Sequence, residues 1–162
     1  MKLADIKWLS AAIITLVAGC VSQPVALLPV GPEPAEHVTY ASTGCLEVFS
    51  DTEERVIGDG PHYYPHLGYN IYDNSGKRVE YVPNHLGDMD EAPTLVRIPV
   101  GDYQVVAESS AYGRVTVPIV VQSGKTTVLH LDRGWIPAAN ILSNEVVRFP
   151  DGEAVGWSSI SQ

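Results

Sequence analysis

The feature that most constrains the fold is a series of short runs in which apolar and polar residues alternate. Leu46 and Val48 alternate with Cys45, Glu47 and Phe49. A period of two places such side chains on opposite faces of a β-strand. Comparable runs cover residues 69–72, 78–82, 94–98, 103–108, 115–121 and 126–131, and no convincing helical stripe follows position 20. The pattern predicts an all-β chain.

Residues that favour chain reversal separate these runs. The segment 73–77 reads Asp-Asn-Ser-Gly-Lys and joins two of them, which predicts a β-hairpin. Seven runs suffice for two sheets packed face to face around a core of Val, Ile, Leu and Tyr. We therefore predict an antiparallel, seven-stranded sandwich over residues 40–132.

One motif resembles a known family of such domains. Residues 98–105 read Ile-Pro-Val-Gly-Asp-Tyr-Gln-Val, which resembles the signature of prealbumin-like domains, among them the carboxypeptidase regulatory-like domains and the B-type repeats of bacterial adhesins. The resemblance implies an Ig/prealbumin-like sandwich that serves as an accessory, binding or spacer module. Gly101 would permit the turn between two strands, and Tyr103 and Val105 would enter the core.

The N-terminus has the features of a secretory signal. Lys2 and Lys7 precede an apolar stretch over residues 8–17 that is too short to span a bilayer. The junction 17–20 reads Val-Ala-Gly-Cys and resembles the lipobox of bacterial lipoproteins. The resemblance implies cleavage of residues 1–19 and acylation of Cys20 by fatty acids such as palmitate. Val21 in place of aspartate implies the outer membrane. The alternative is an ordinary core cysteine.

The segments that flank the predicted domain differ from it in composition. Prolines at positions 24, 29, 32 and 34 predict that residues 20–39 form a semi-rigid tether behind the lipid anchor. Residues 133–162 are expected to be a C-terminal extension with a small hairpin turned at Asp151-Gly152. Trp135, Phe149 and Trp157 are predicted to pack on the sandwich, unless this tail is an arm that binds a partner.

Charge and motifs exclude several classes of function. The net charge of −9 is poorly suited to nucleic acid or to an anionic lipid surface. With Cys20 acylated, Cys45 is the one remaining thiol, so we expect no internal disulfide and a small buried side chain at Cys45. The Gly-x-Ser-x-Gly, His-Glu-x-x-His and phosphate-loop patterns are absent. We therefore predict that the protein is not an enzyme.

A metal site is the main alternative chemistry. His62, His66 and His85, with Asp88 as a fourth ligand, would form a zinc site if the two long loops met. Prolines at positions 61 and 65 make a helix improbable there, so the four-residue spacing of the first two histidines does not by itself place them on one face. We predict no metal and no other cofactor.

Tyrosines concentrate near the same loops. Tyr63, Tyr64, Tyr69 and Tyr72 are the possible ligand contacts, because tyrosine combines apolar area with a hydroxyl. Alternation places Tyr69 opposite Tyr72, so at least one of them should be exposed. The sequence thus favours a lipid-anchored binding module that recognises an envelope protein or glycan through loops 51–68 and 83–93. The alternative is a structural spacer without a specific ligand.

Overall fold

The computed structural model describes residues 25–32 and 42–159. The predicted signal peptide, Cys20 and much of the predicted tether lie outside the described residues. Within them the chain is all-β, as predicted, and forms twelve strands. The strands are β1 (Val30–Gly31), β2 (Thr43–Phe49), β3 (Arg55–Val56), β4 (His62–Tyr63), β5 (Tyr69–Asp73), β6 (Arg78–Val82), β7 (Val96–Pro99), β8 (Gly101–Ser109), β9 (Gly113–Val121), β10 (Thr126–His130), β11 (Val146–Arg148) and β12 (Ala154–Ser158).

The strands of the described chain form three sheets. One has seven strands in the order β11-β12-β1-β9-β8-β5-β6, one has the order β10-β2-β7, and β3 pairs with β4 alone. Two pairs, β1 with β9 and β10 with β2, are parallel. The predicted seven-stranded antiparallel arrangement is therefore wrong. Alternation within a strand does not reveal the direction of its neighbour, because parallel and antiparallel strands share the same period of two.

The hairpin predicted around residues 73–77 is confirmed. β5 pairs antiparallel with β6. At the turn, Asp73 Oδ1 accepts hydrogen bonds from the Ser75 amide at 2.9 Å and the Lys77 amide at 3.0 Å. Gly76 has a φ of 79°, which a residue without Cβ adopts freely. The Ser75 hydroxyl, the strongest influence, and these amides lower the pKa of the Asp73 carboxyl.

One hydrophobic core is shared by the seven-stranded and three-stranded sheets. On β2, Leu46 and Val48 are completely buried while Glu47 and Phe49 are half-buried, as the alternation predicts. Cys45 is also half-buried, on the face away from the core, so the predicted buried environment of its thiol is wrong. The same alternation that buries Leu46 necessarily turns its neighbour outward.

The proline-rich segment supplies a central strand and is not only a tether. Val30 in β1 is completely buried and lies between Ser158 of β12 and Ile119 of β9. The carbonyl of Pro29 accepts a hydrogen bond from the Ser159 amide at 3.1 Å. Prolines flank this strand without interrupting it, because Val30 and Gly31 retain the backbone donors that pairing requires.

The C-terminal residues are likewise part of the main sheet. β11 and β12 form the predicted hairpin, and Gly152 at its turn has a φ of 93°. β12 also pairs with β1, so this hairpin extends the seven-stranded sheet instead of forming an appendage. Phe149 is buried in the core, whereas Trp135 and Trp157 are half-buried.

The motif at residues 98–105 connects the two larger sheets. β7 belongs to the three-stranded sheet and β8 to the seven-stranded sheet, so the turn before Gly101 carries the chain from one to the other. Val105 is completely buried, as expected. Tyr103 is only half-buried and packs against the edge of the core, and its hydroxyl donates to the carbonyl of Pro99 at 3.1 Å.

Candidate functional site

Loops 51–68 and 83–93 leave the seven-stranded sheet at one end. The first leads into β5 and the second follows β6, and these strands pair where β8 approaches its reversal into β9. The Asp51 amide donates to the carbonyl of Glu108 at 2.8 Å, and the Ser110 hydroxyl donates to Asp51 Oδ1 at 2.7 Å. The first loop is therefore fastened to the β8–β9 reversal.

A buried asparagine holds the two loops together from inside. Asn84 Nδ2 lies 2.9 Å from the carbonyl of Val48, 3.0 Å from Ser50 Oγ and 3.2 Å from the carbonyl of Leu67. Its Oδ1 accepts a hydrogen bond from the Thr94 amide at 3.1 Å. The φ of Asn84 is 70°, a region that asparagine tolerates better than most residues. The amide thus joins β2, the first loop and the second loop.

Surface contacts join the loops from outside. The Tyr64 amide donates to Glu91 Oε1 at 2.7 Å, which links residues of the two loops. His62 Nδ1 contacts Glu54 Oε1 across the β3–β4 ribbon. This hydrogen bond is the largest cause of the lowered pKa of the Glu54 carboxyl, to which Tyr64 also contributes. Both loops are therefore ordered by specific contacts.

The second loop folds around one carboxylate. Asp90 accepts hydrogen bonds from the Leu86 amide at 2.9 Å and the Ala92 amide at 3.3 Å, and its own amide donates to the carbonyl of Gly87. Leu86 and Met89 project from this turn with 92% and 63% of their surface exposed. These hydrogen bonds fix the backbone of the turn, and the turn leaves both apolar side chains exposed to solvent.

The apolar side chains of both loops form the first candidate site, which we call the loop surface. Its members are at least 46% exposed; they are Val56, Ile57, Tyr64, Leu86 and Met89. The same loops carry seven carboxylates, which are Asp51, Glu53, Glu54, Asp59, Asp88, Asp90 and Glu91. An apolar set within an acidic neighbourhood provides contact area and electrostatic selectivity, which are properties of a binding site.

The predicted tyrosine contacts are dispersed. Tyr64 is exposed on the loop surface, while Tyr63 and Tyr72 are half-buried on different strands. Tyr69 is completely buried, so its assignment as a ligand contact is wrong. Alternation placed Tyr69 and Tyr72 on opposite faces correctly but did not say which face is inside. The Tyr69 hydroxyl has no hydrogen-bond partner within the described chain, and burial raises its pKa.

The structure does not bring His62, His66 and His85 together into one group. His66 is buried, with Nδ1 2.6 Å from the carbonyl of Ser50, to which it donates. His62 is exposed and pairs with Glu54, and His85 is half-buried. Among residues 25–32 and 42–159, no three metal-binding side chains come together. That the protein needs no structural metal stays a prediction.

A second candidate site, not anticipated from the sequence, is an aromatic stack that reaches both larger sheets. Ring centroids are 4.8 Å apart for Phe49 and His130, 5.0 Å for His130 and Trp135, and 5.6 Å for Trp135 and Trp157. Burial lowers the pKa of the His130 imidazole, and Asp132 opposes this shift. The stack depends on the parallel register that sets His130 beside Phe49, and alternation alone cannot reveal that register.

Two cavities adjoin this stack. The first, of about 180 Å³, is lined by Val128, His130, Trp135, Gly156 and Trp157. The second, of about 240 Å³, shares Trp135. Its other lining residues are Arg133, Ile136, Pro137, Arg148, Gly152, Glu153 and Ala154. Trp135 therefore lines both cavities, and the second also contains three charged side chains.

In the part of the chain that the structure describes, no helix has the length and apolar character needed to cross a membrane. Comparison of this chain with protein-family models, with characterised proteins and with solved structures finds no match.

Proposed function

We propose that this protein is a non-catalytic interaction module of the bacterial cell envelope, attached to the outer membrane by a lipid on Cys20. In this proposal it binds a protein partner through the loop surface. The observation that carries the proposal is the exposure of Leu86 and Met89 on a turn that Asp90 holds in place. Methionine and aromatic residues are enriched where proteins meet.

The structure of the loops supports binding over a spacer role. A spacer requires only a stable core, and that core is supplied by the two larger sheets. The loops add a buried asparagine network and the Tyr64–Glu91 link, and they present apolar side chains to water. Several exposed apolar residues on two ordered, mutually linked loops favour a site that a partner covers.

The acidic side chains of the loops define the chemistry of the partner. Seven carboxylates accompany one arginine in loops 51–68 and 83–93. Because charges at the rim of an interface steer the encounter and exclude partners of like charge, the partner should carry lysine or arginine around an apolar centre. This charge also disfavours direct binding of the loops to an anionic lipid surface.

The remaining parts of the proposal have separate support. The shared core of the two larger sheets and the sheet-changing turn before Gly101 favour a β-sandwich related to the prealbumin-like domains. The Val-Ala-Gly-Cys junction supports lipidation of Cys20. Cys20→Ser should block cleavage at this junction and leave the protein without its lipid, so the protein should disappear from the outer-membrane fraction. Normal processing with retention in the membrane would contradict the anchor.

Site-specific photocrosslinking in living cells tests the partner. A benzophenone amino acid in place of Leu86 or Met89 should give one discrete adduct. The same group in place of Val79, which is exposed on edge strand β6, is the matched control. Leu86→Asp should abolish the adduct from position 89. Equal adducts from positions 79 and 86, or none from 86 and 89, would contradict binding through the loop surface.

A further inference from the structure

The aromatic stack and its cavities form a site that is separate from the loop surface. Trp135 lies after the end of β10, and Trp157 lies on β12. Between them the wall of the first cavity includes Gly156, where a Cβ would approach the carbonyl oxygen of Val128 to 2.7 Å. Backbone and aromatic rings, not flexible side chains, therefore shape much of this cleft.

The two indoles offer apolar faces and one N–H donor each. Both tryptophans are half-buried, and both line the cleft. Their planes are tilted by 59°, whereas His130 lies nearly parallel to Trp135 at 20°. The stack with His130 and Phe49 supports the Trp135 ring from one side. A ligand would therefore meet a rigid ring and would not have to order a mobile one.

The second cavity adds hydrogen-bonding groups beside the same ring. Arg133 Nη2 donates to Asp151 Oδ2, and Arg148 Nη1 donates to the carbonyl of Gly152, both at 2.9 Å. A guanidinium carries five N–H donors, so these single contacts leave donors for a ligand. Glu153 lines the same cavity and can supply acceptors.

We propose that this site binds a neutral saccharide, with one sugar ring in the aromatic cleft and a linked ring in the second cavity, beside Arg133, Arg148 and Glu153. A sugar ring has an apolar C–H face that suits an indole and hydroxyl groups that suit arginine and glutamate. Two arginines disfavour a cationic ligand, and Glu153 together with the net charge of −9 disfavours an anionic one. A wholly apolar ligand would cover the remaining N–H donors of the arginines without accepting hydrogen bonds from them.

Tryptophan fluorescence provides a direct test. The chain has three tryptophans, so the full chain with Trp8→Phe reports from Trp135 and Trp157 alone. Cellohexaose and chitohexaose, titrated to millimolar concentration in detergent solution, are the probes. We expect at least one of them to change the emission saturably, and calorimetry of the unaltered chain should give a matching dissociation constant. Maltohexaose, a flexible α-linked chain, is the third neutral probe.

Variants distinguish this site from other surfaces. Trp135→Ala should weaken binding at least tenfold. Arg148→Gln should weaken it several-fold, because the substitution removes the guanidinium N–H donors of Arg148. Tyr81→Ala, which removes an exposed aromatic ring on β6, is the matched control and should bind as the parent does. Circular dichroism confirms that each variant is folded. No binding of any of the three probes, or unchanged binding by folded Trp135→Ala, would overturn the proposal. Neither result bears on the crosslinks from Leu86.

Discussion

Gly156→Ala should strongly destabilise the protein, because β12 packs on β10 with no space for a side chain. A Cβ at Gly156 would lie 2.6 Å from Val30 Cγ1 and 2.7 Å from the carbonyl oxygen of Val128. Both distances are shorter than real Cβ contacts. Val30 is completely buried in the central strand β1, and the second contact is with backbone, so neither group can simply rotate away.

The size of the effect follows from these two contacts. Forcing an extra methyl group into a packed core costs about 1–3 kcal/mol. With one buried side chain and one backbone atom displaced, we expect about 3 kcal/mol of lost unfolding free energy. For a domain of this length, that corresponds to a fall in Tm on the order of 10 °C. Adding Val30→Ala removes Cγ1 but not the carbonyl contact, so it should not restore stability.

Urea titration and calorimetry measure the change, with Gly87→Ala as the matched control. A Cβ at Gly87 would have no neighbour within 4 Å, and its φ lies outside the left-handed region. Its substitution should therefore alter the unfolding free energy by no more than about 0.5 kcal/mol. If Gly156→Ala unfolds within two or three degrees of Gly87→Ala, direct packing of β12 on β10 is refuted.

Three further predictions address the site and its surroundings. Asn84→Ala should cost about 2–4 kcal/mol in urea titration, because it strands buried carbonyl groups that the amide now satisfies; a cost within error of zero would contradict the network. Burial lowers the pKa of His130, so protonation opposes folding: stability from this group is complete above its ordinary pKa near 6.5 and is lost as the pH falls below it. The difference in Tm between pH 7.5 and pH 5 should therefore be smaller in His130→Phe than in the parent, and equal differences would count against this reasoning. Chelator treatment should leave the Tm unchanged, whereas a fall that zinc reverses would implicate the loop histidines.

Local features of the fold were predictable because they depend on neighbouring residues. The alternation that buries Leu46 and Val48 also gives the strand and its inner face. The 73–77 turn follows from Gly76 and from the Asp73 carboxylate that bonds back to the chain. What could not be predicted is which strands become neighbours. The parallel pairing of β10 with β2 and the insertion of β1 between β12 and β9 depend on contacts between distant segments.

The two candidate sites also differ in how far they could be predicted from the sequence. Loops 51–68 and 83–93 could be identified as exposed, carboxylate-rich connections, and the loop surface lies there. The tyrosines were a poor guide, because a tyrosine such as Tyr69 fills a core as readily as it contacts a ligand. The aromatic stack escaped sequence reasoning because Phe49, His130, Trp135 and Trp157 come from three strands and a connecting segment. Only the register of those strands brings the rings together.

The proposed anchor at Cys20 limits how far the domain can stand from the membrane. Val25 already packs against the core, so four residues, or five Cα-to-Cα steps, separate it from Cys20. Even a fully extended chain of that length spans at most about 18 Å. Residues 33–39, which the sequence assigned to the tether, lie beyond β1 and cannot add to this reach.

This short connection also determines which end of the domain lies nearest to the bilayer. β1 runs parallel to β9, so the residues before Val30 extend towards the start of β9 at Gly113. Loops 51–68 and 83–93 leave the sheet at that same end. A partner that reaches Leu86 should therefore be embedded in the membrane or bound to it. The carboxylates of the loops then have a second effect, because they keep the loop surface from settling onto anionic lipid.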